Sequence, residues 1–117
     1  MVIDLHIHTS FSDGLLTPEE LVGESLRLNL SAIAVTDHDE VKGIDPAIQA
    51  AENTGLQVIS GVEISAENSV EEVHILGYGL DYHSPILLKF LKSLIFKILF
   101  LYIMDNTLLS LSGTICE

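Results

Sequence analysis

The chain is poor in cysteine and in cations. Cys116 is its only cysteine, so neither a disulfide framework nor a cysteine-based zinc site can form within one chain. Five Lys and Arg residues face seventeen Asp and Glu residues, which gives a formal net charge of −12. This balance argues against a surface that binds nucleic acid by neutralising phosphates. An acidic chain can still act on a nucleotide, because carboxylates that hold divalent ions are neutralised locally and the ion then attracts phosphate.

The N-terminus does not have the pattern of a signal peptide. Residues 1–4 have neither the basic start nor the apolar stretch of a signal peptide. Together with the single cysteine, this predicts a cytoplasmic location. The 117 residues are 48% hydrophobic, which excludes a disordered tail and suffices for one domain with a modest core.

The composition changes near Pro85, which predicts two segments, residues 1–85 and 86–117. The first holds fifteen of the seventeen acidic residues. The second begins with Ile86 to Met104, a run of mostly Leu, Ile and Phe that three Lys residues interrupt. The run nearly has the length of a membrane-spanning helix, but cations within it are costly. We therefore expect an amphipathic or partly buried helix and no stable membrane insertion.

The first segment alternates strand and helix signals. A capping box at residues 17–20 begins a helix that runs to about Leu28, and Asp45-Pro46 begins a second that closes at Gly55. The order predicts an α/β fold whose parallel strands are joined by right-handed crossover helices, either as an open sheet or curled into part of a barrel. Strands are predicted at residues 2–7, 32–36, 57–64 and 73–78.

Polar residues that can bind metal lie where the predicted strands end. His6 and His8 project from one face of the first strand, because side chains alternate with a period of two, so they can chelate one ion. The ends of parallel strands share one edge of a sheet, so residues at later strand ends should converge there. A mixture of imidazole and carboxylate ligands suits Zn, Mn or Fe better than Ca. These later residues are Asp13 after the first strand, His38 after the second, Glu63 ending the third and His74 in the fourth.

Each of these features alone has an ordinary structural explanation. A His-x-His pair on a strand is more often incidental than a metal site, and Asp13 alone is part of a turn. Glu63 in an apolar strand needs a partner, and a metal ion is one. Asp37 is expected to accept a hydrogen bond that orients an imidazole, and His83 is interpreted as a surface histidine. The joint pattern favours a metal site over the separate explanations.

Four stretches carry a family likeness in their order and spacing. They are residues 4–14 (DLHIHTSFSDG), 34–39 (AVTDHD), 59–65 (ISGVEIS) and 73–77 (VHILG). Together they resemble the PHP superfamily, the polymerase and histidinol phosphatase domain. The run at residues 12–20 is most similar to the stand-alone PHP phosphoesterases that act on nucleotides or short RNA ends.

The resemblance implies a distorted (β/α)7 barrel of TIM-like type, here in part, that binds two or three divalent ions. Its reaction would be hydrolysis of a phosphate ester by attack of a metal-bound hydroxide, on a phosphorylated small molecule, a nucleotide or a short nucleic-acid end. Glu63 would bridge two ions, and Asp13, His38 and Glu63 would be catalytic. The implied metal ligands are His6, His8, Asp13, His38, Glu63 and His74.

The chain also departs from the family pattern. A complete PHP domain supplies a further histidine and a C-terminal Asp-x-His, whereas residues 86–117 contain no histidine. We therefore expect a truncated barrel and hypothesise that residues 86–117 are read in a shifted frame. Apolar surface left exposed by truncation predicts self-association. Three alternatives remain: a non-catalytic metal-binding fragment or pseudoenzyme, a polymerase-associated proofreading domain, and a membrane-associated protein.

Overall fold

The computed structural model describes residues 1–67 and 71–95. Within them, four strands form one sheet in the order β1-β2-β3-β4, and residues 85–95 form a helix, α3. The predicted elements of the first segment are all present, but α2 ends at Ala51 instead of at Gly55, and β3 continues to Glu67, so that Glu63 lies within β3 and not at its end. The other elements are β1 (Ile3–Ile7), α1 (Pro18–Arg27), β2 (Ala32–Val35), α2 (Ile44–Ala51), β3 (Gln57–Glu67) and β4 (Glu72–Tyr78).

Helix α1 begins as the capping box predicts. The side chain of Thr17 accepts a hydrogen bond from the backbone N–H of Glu20 at 3.2 Å, which satisfies one of the free donors of the first turn. Pro18 lies in that turn, where its missing N–H costs nothing. Leu21 and Val22 are then buried in the hydrophobic core, so the apolar face of α1 anchors the loop that precedes it.

The strand directions correct one expectation. Strands β1, β2 and β3 are parallel, but β4 is antiparallel to β3, so the prediction of an all-parallel sheet is wrong at β4. Only residues 68–71 separate the two strands, and a parallel pair needs a crossover of about a dozen residues or more. The start of β4 consequently lies beside the end of β3. His74 therefore reaches the same edge of the sheet by a different route.

The sheet is curled, as a partial barrel requires. The phenol of Tyr78 on β4 donates a hydrogen bond to the backbone carbonyl of Leu5 on β1 at 2.6 Å, although β2 and β3 lie between these two strands. A flat sheet of this width would keep its outer strands too far apart for one side chain to span. The curl turns the carboxyl ends of β1, β2 and β3 towards one another.

The hydrophobic core lies between the sheet and the helices. Ile33 of β2, Ile44 of α2 and Val62 of β3 are completely buried in it. Leu91 of α3 is only 3% exposed and belongs to the same cluster. The rest of the predicted apolar helix lies outside the described residues, so the boundary at residue 85 and the shifted frame stay predictions. Among the described helices, none has both the length and the apolar character needed to cross a membrane.

Large apolar side chains are exposed on both outer strands. Ile3 of β1 is 49% exposed and Ile75 of β4 is 53% exposed. Uncovered strands of this kind offer pairing groups and apolar contacts to another chain. Self-association through these edges stays a prediction, which the concentration dependence of the sedimentation coefficient would test.

A polar cluster outside the strand ends fastens α2 to the segment before α3. Asp45 in the first turn of α2 receives hydrogen bonds from His83 at 2.8 Å and from the phenol of Tyr82 at 2.9 Å. The hydrogen bonds of His83 and then Tyr82 lower the pKa of Asp45; burial opposes them, and the charge of His83 adds to the lowering. The side chain of His83 is 67% exposed, in agreement with its interpretation as a surface histidine.

The low pKa of Asp45 predicts a pH-dependent stability. A carboxylate whose pKa is lower in the folded than in the unfolded state stabilises the fold above its unfolded pKa, and the effect disappears as the pH falls through the folded pKa. We expect Asp45→Asn to melt below the wild type at neutral pH, and we expect this deficit to shrink in acid as the pH falls below the unfolded pKa of about 3.9. Asp81→Asn, at a nearby exposed position, is the control. Thermal melts at neutral and at acidic pH test this, and a deficit that persists unchanged in acid would contradict it.

Candidate metal centre

Glu63 lies at the centre of a histidine cluster. Its side chain is almost fully buried, at 8% exposure. Its Oε2 atom lies 3.1 Å from His6 Nε2 and 3.0 Å from His8 Nε2. The same oxygen is 3.5 Å from His38 Nδ1, and Oε1 is 3.6 Å from His74 Nδ1. One buried carboxylate thus faces four imidazoles that come from different parts of the sequence.

Asp13 closes the cluster on its solvent side. Its Oδ2 atom lies 3.2 Å from His38 Nε2, and its Oδ1 atom lies 3.6 Å from His8 Nδ1. The side chain is 66% exposed, so it is the most accessible of the six predicted site residues. The structure brings all six together. They form three overlapping groups, each able to surround one ion: His6, His8 and Glu63; His8, Asp13 and His38; and His38, Glu63 and His74.

The backbone explains why His6, His8 and His38 meet Glu63. The period of two on β1 turns His6 and His8 to one face, and their Nε2 atoms are 3.3 Å apart. Beyond the end of β2, the chain keeps parallel pairing with β3 through an isolated bridge between His38 and Glu63. The N–H of Glu63 donates to the carbonyl of Asp37, and the N–H of Asp39 donates to the carbonyl of Glu63, both at 3.0 Å. These two bonds place the His38 imidazole beside the Glu63 carboxylate.

The electrostatics of the cluster suit a cation. Burial acts to raise the pKa of Glu63, but the hydrogen bond with His6 and the charges of His38, His6 and His8 outweigh it and lower that pKa. Glu63 is therefore negatively charged at neutral pH. The Nδ1 atom of His8 is buried and has no hydrogen-bond partner among the described residues, so a ring nitrogen is left for another ligand. Four imidazoles and two carboxylates are a donor set that fits Zn, Mn or Fe.

Asp37 has partners that differ from the expected imidazole. Its carboxylate is fully buried and accepts hydrogen bonds from the N–H of Thr9 at 2.6 Å and the hydroxyl of Thr9 at 2.7 Å. The hydroxyl of Ser12 donates a third, at 2.7 Å. Asp37 therefore holds the loop that carries Asp13 rather than a histidine ring. Sequence reasoning assigned no role to Thr9 or Ser12, although hydroxyl residues beside a metal-binding loop are natural partners for a buried carboxylate.

Asp39 is a second residue whose role the sequence did not reveal. It is 5% exposed, and its Oδ1 atom accepts the N–H of Ser65 on β3 at 2.9 Å. Its backbone is in the left-handed region, with φ of 50°, a conformation that Asp tolerates better than most residues. Asp39 thus tightens the turn after His38 and binds it to β3. An acidic residue between two apolar strands is equally typical of a solvent-exposed loop, and the sequence alone does not distinguish an exposed Asp from a buried, hydrogen-bonded one.

A curled α/β sheet that gathers imidazole and carboxylate side chains able to hold metal ions from several strands is the arrangement of barrel-type hydrolases. The sequence profile of the PHP domain matches residues 4–111, and the chain belongs to this family. The family likeness seen in the four motifs is thereby confirmed.

Two curated relatives show the range of activities in related proteins. The chain is 41% identical over 93 residues to the 5'-3' exoribonuclease Rnm of Escherichia coli, covering 78% of this chain and 32% of the relative. It is 40% identical over 92 residues to the 3',5'-nucleoside bisphosphate phosphatase of Chromobacterium violaceum, covering 79% of this chain and 32% of the relative. The chain therefore spans about a third of the length of the curated relatives it matches.

Two solved structures share the fold. One is an amidohydrolase from Chromobacterium violaceum with bound sulfate and no metal; it has a TM-score of 0.75 and 40% identity, and the match covers 80% of this chain and 33% of that one. The other, from Bifidobacterium adolescentis, carries the name of a metal-dependent phosphoesterase. It has a TM-score of 0.72 and 36% identity, with 78% of this chain and 32% of that one covered. A divalent metal is therefore the cofactor that the family implies.

Proposed function

We propose that this chain carries a metal-dependent phosphoesterase site that acts on nucleotides or short RNA ends. The observation that carries the proposal is the buried Glu63 carboxylate, which lies within 3.6 Å of ring nitrogens from four histidines. A cluster with this donor set has little purpose as a purely structural feature, because three imidazoles compete for one carboxylate oxygen. The names of the two curated relatives support a phosphorylated nucleotide or RNA as the substrate.

The three overlapping groups define the proposed ligand roles. His6 and His8 with Glu63 would hold one ion, and His8 and His38 with Asp13 a second. His38 and His74 with Glu63 would hold a third. Two or three ions of Mn, Zn or Fe are therefore proposed. Bound there, they would lower the pKa of a water molecule and neutralise phosphoryl oxygens.

The chain's own residues would orient the substrate and the ions. Glu63, shared by two groups and negatively charged, would fix the separation of two ions. Asp13 is the most exposed member of the cluster and lies where a phosphate ester would approach from solvent. Its Oδ2 atom faces His38 Nε2 at 3.2 Å, so these two side chains would hold the second ion together on the solvent side of the cluster. Asp13, His38 and Glu63 are the residues that we propose to be catalytic.

The extent of activity is a separate part of the proposal. The ligands that the family resemblance implies from a later histidine and an Asp-x-His are absent from residues 86–117, which contain no histidine. The second candidate is a non-catalytic metal-binding PHP fragment, in which the six clustered residues would hold ions without turnover. A cytoplasmic location is also proposed, because the single cysteine suits a reducing compartment.

Metal content and phosphate release together test the function. The chain would be stripped with chelator, reloaded with Mn²⁺ and assayed for metal per chain and for phosphate release from a 3',5'-nucleoside bisphosphate. We expect bound metal in the wild type and a loss of about a hundredfold or more in phosphate release for His6→Ala, which removes a ligand beside Glu63.

The matched control is His83→Ala, which removes an exposed histidine outside the cluster and should leave both quantities unchanged. Wild-type protein without bound metal would overturn the proposal. Bound metal without phosphate release above that of His6→Ala would instead select the non-catalytic fragment.

A further inference from the structure

The strand that carries His6 and His8 is poorly held by sheet pairing. Strand β1 pairs in regular register with β2 at Ile3 and Asp4, but the register shifts between Asp4 and Ile7. His6 lies inside this irregular stretch, and His8 lies beyond the last paired residue. A shift in register disturbs the ladder of hydrogen bonds and leaves backbone groups to be fixed in another way. Something other than the ladder must therefore set the positions of these two histidines.

Thr36 supplies the missing attachment for β1. Its hydroxyl oxygen accepts the N–H of Ile7 at 3.0 Å and donates to the carbonyl of Ile7 at 3.1 Å. The N–H of Thr36 also donates to that carbonyl, at 2.8 Å. Thr36 is completely buried, so water does not compete for these bonds. Ile7 lies between the two histidines, and both are fixed when its backbone is fixed.

Asp37 continues the attachment into the following loop. Its buried carboxylate accepts two hydrogen bonds from Thr9 and one from Ser12. The carbonyl of Thr9 in turn accepts the N–H groups of Ser12 at 3.1 Å and Gly14 at 2.9 Å, which folds the loop around Thr9. Asp13 lies between Ser12 and Gly14, so the position of its carboxylate depends on Thr9 and hence on Asp37.

The backbone of Asp37 links this loop to Glu63. Its carbonyl accepts the N–H of Glu63 at 3.0 Å, and His38 is the next residue along the chain. Thr36 and Asp37 thus form hydrogen bonds with three segments: the end of β1, the loop that carries Asp13, and β3 at Glu63.

We propose that Thr36 and Asp37 act as a positioning pair that sets the spacing of His6, His8 and Asp13 against His38 and Glu63 before any ion binds. The pair touches neither ion nor substrate and acts through the loop. Its consequence for metal affinity rests on the proposed function, whereas its effect on the loop does not. A purely stabilising role would lower the melting temperature without weakening metal binding beyond what an equal loss of stability elsewhere causes.

Ser12→Ala is the mildest test, because it removes one hydrogen bond to Asp37 and leaves the backbone unchanged. Ser25→Ala is its matched control: the hydroxyl of Ser25 also makes one 2.7 Å hydrogen bond, to the carbonyl of Leu21 in α1. Two quantities would be measured, the amide hydrogen exchange of residues 9–14 in metal-free protein and the affinity for Mn²⁺ by titration calorimetry. We expect Ser12→Ala to speed that exchange severalfold and to weaken Mn²⁺ binding about tenfold. Ser25→Ala should change neither.

Gly43→Ala tests the Asp37 member of the pair, through its contact with Thr9, without removing any hydrogen-bonding group. A Cβ at residue 43 would lie 2.8 Å from Asp37 Oδ2 and 2.9 Å from Thr9 Oγ1, so it would push the two apart. Its control is Gly23→Ala, where a Cβ meets nothing within 4 Å. We expect the Gly43 variant to show the same two changes and the Gly23 variant to show neither.

The two readouts keep the inference separate from the proposed function. Wild-type protein that fails to bind Mn²⁺ refutes the proposed function, and the loop exchange of the metal-free variants still decides on the positioning pair. Unchanged exchange in both Ser12→Ala and Gly43→Ala overturns the pair. If the Mn²⁺ affinity falls equally in Ser12→Ala and Ser25→Ala, the loss reflects stability alone. That result would also overturn the positioning role of Thr36 and Asp37.

Discussion

Glu63→Gln is expected to abolish measurable Mn²⁺ binding, with an affinity at least about a hundredfold below that of the wild type. The substitution keeps the size of the side chain but removes the charge that His6, His8 and His38 surround at 3.0 to 3.5 Å. Two of the three groups able to hold an ion contain Glu63, so both lose their anionic member at once. Titration calorimetry and elemental analysis after dialysis measure the loss.

The fold should survive this substitution. The amide that replaces the carboxylate can still form hydrogen bonds with neighbouring imidazoles, and Val62 remains buried in the core beside it. Glu19→Gln, a charge-neutral change in the first turn of α1, is the control and should bind Mn²⁺ as the wild type does. A Glu63→Gln protein that retained wild-type affinity would remove Glu63 from the centre of the site.

Gly14→Ala is expected to cause the largest loss of stability of any single substitution considered for this chain. A Cβ at residue 14 would lie 2.2 Å from the carbonyl oxygen of His8 and 2.5 Å from its carbonyl carbon. Both are backbone atoms that cannot rotate away, so the loop from His8 to Gly14 must shift as a whole. Strain of this kind costs about 3 kcal/mol, which corresponds to a fall in melting temperature of roughly 10 to 20 °C.

Because His8 and Asp13 lie within the displaced loop, Mn²⁺ affinity should fall together with stability. Gly23→Ala again provides the comparison, since it adds the same methyl group at an exposed helical position and should raise stability by up to about 1 kcal/mol. The melting temperatures of the two variants, measured by thermal unfolding under identical conditions, test this difference in stability. Equal melting temperatures would mean that the loop adapts without cost.

The sequence predicted the parts of the fold that depend on local patterns. Alternation along β1 placed His6 and His8 on one face, and both now lie against Glu63. The capping box located the start of α1 because a hydroxyl three residues before a free N–H is a local arrangement. Such features need only neighbours in the chain, which a single sequence shows directly.

The direction of β4 was missed because the parallel arrangement predicted from the β-α-β-α-β order of the first three strands was extended to the fourth strand. The predicted end of the third strand at residue 64 and the start of the fourth at residue 73 left too few residues for a crossover helix. Connection length was therefore the signal that could have corrected the prediction. The convergence of His74 with Glu63 was nevertheless expected, because a hairpin brings the start of β4 to the same edge.

The partners of Asp37 could not be predicted from the sequence. A buried carboxylate needs donors, but an imidazole, a hydroxyl and a backbone N–H all satisfy it. The choice of Thr9 and Ser12 depends on how the loop after β1 packs against the end of β2, across 28 and 25 positions of the chain. Contacts between residues that are this far apart in the chain do not produce a recognisable pattern in the local sequence.

The antiparallel β4 has a consequence for the order in which the site forms. His74 pairs beside Ser65 in a hairpin, so its approach to Glu63 closes only a short loop, an event of about 1 to 10 µs. The contact of His6 with Glu63 joins residues 57 positions apart and carries a much larger loop-closure entropy. We therefore expect the contact between His74 and Glu63 to form before the contact between His6 and Glu63 during folding. On this expectation, His6 and His8, the first histidines to be synthesised, are among the last residues of the cluster to reach their final positions.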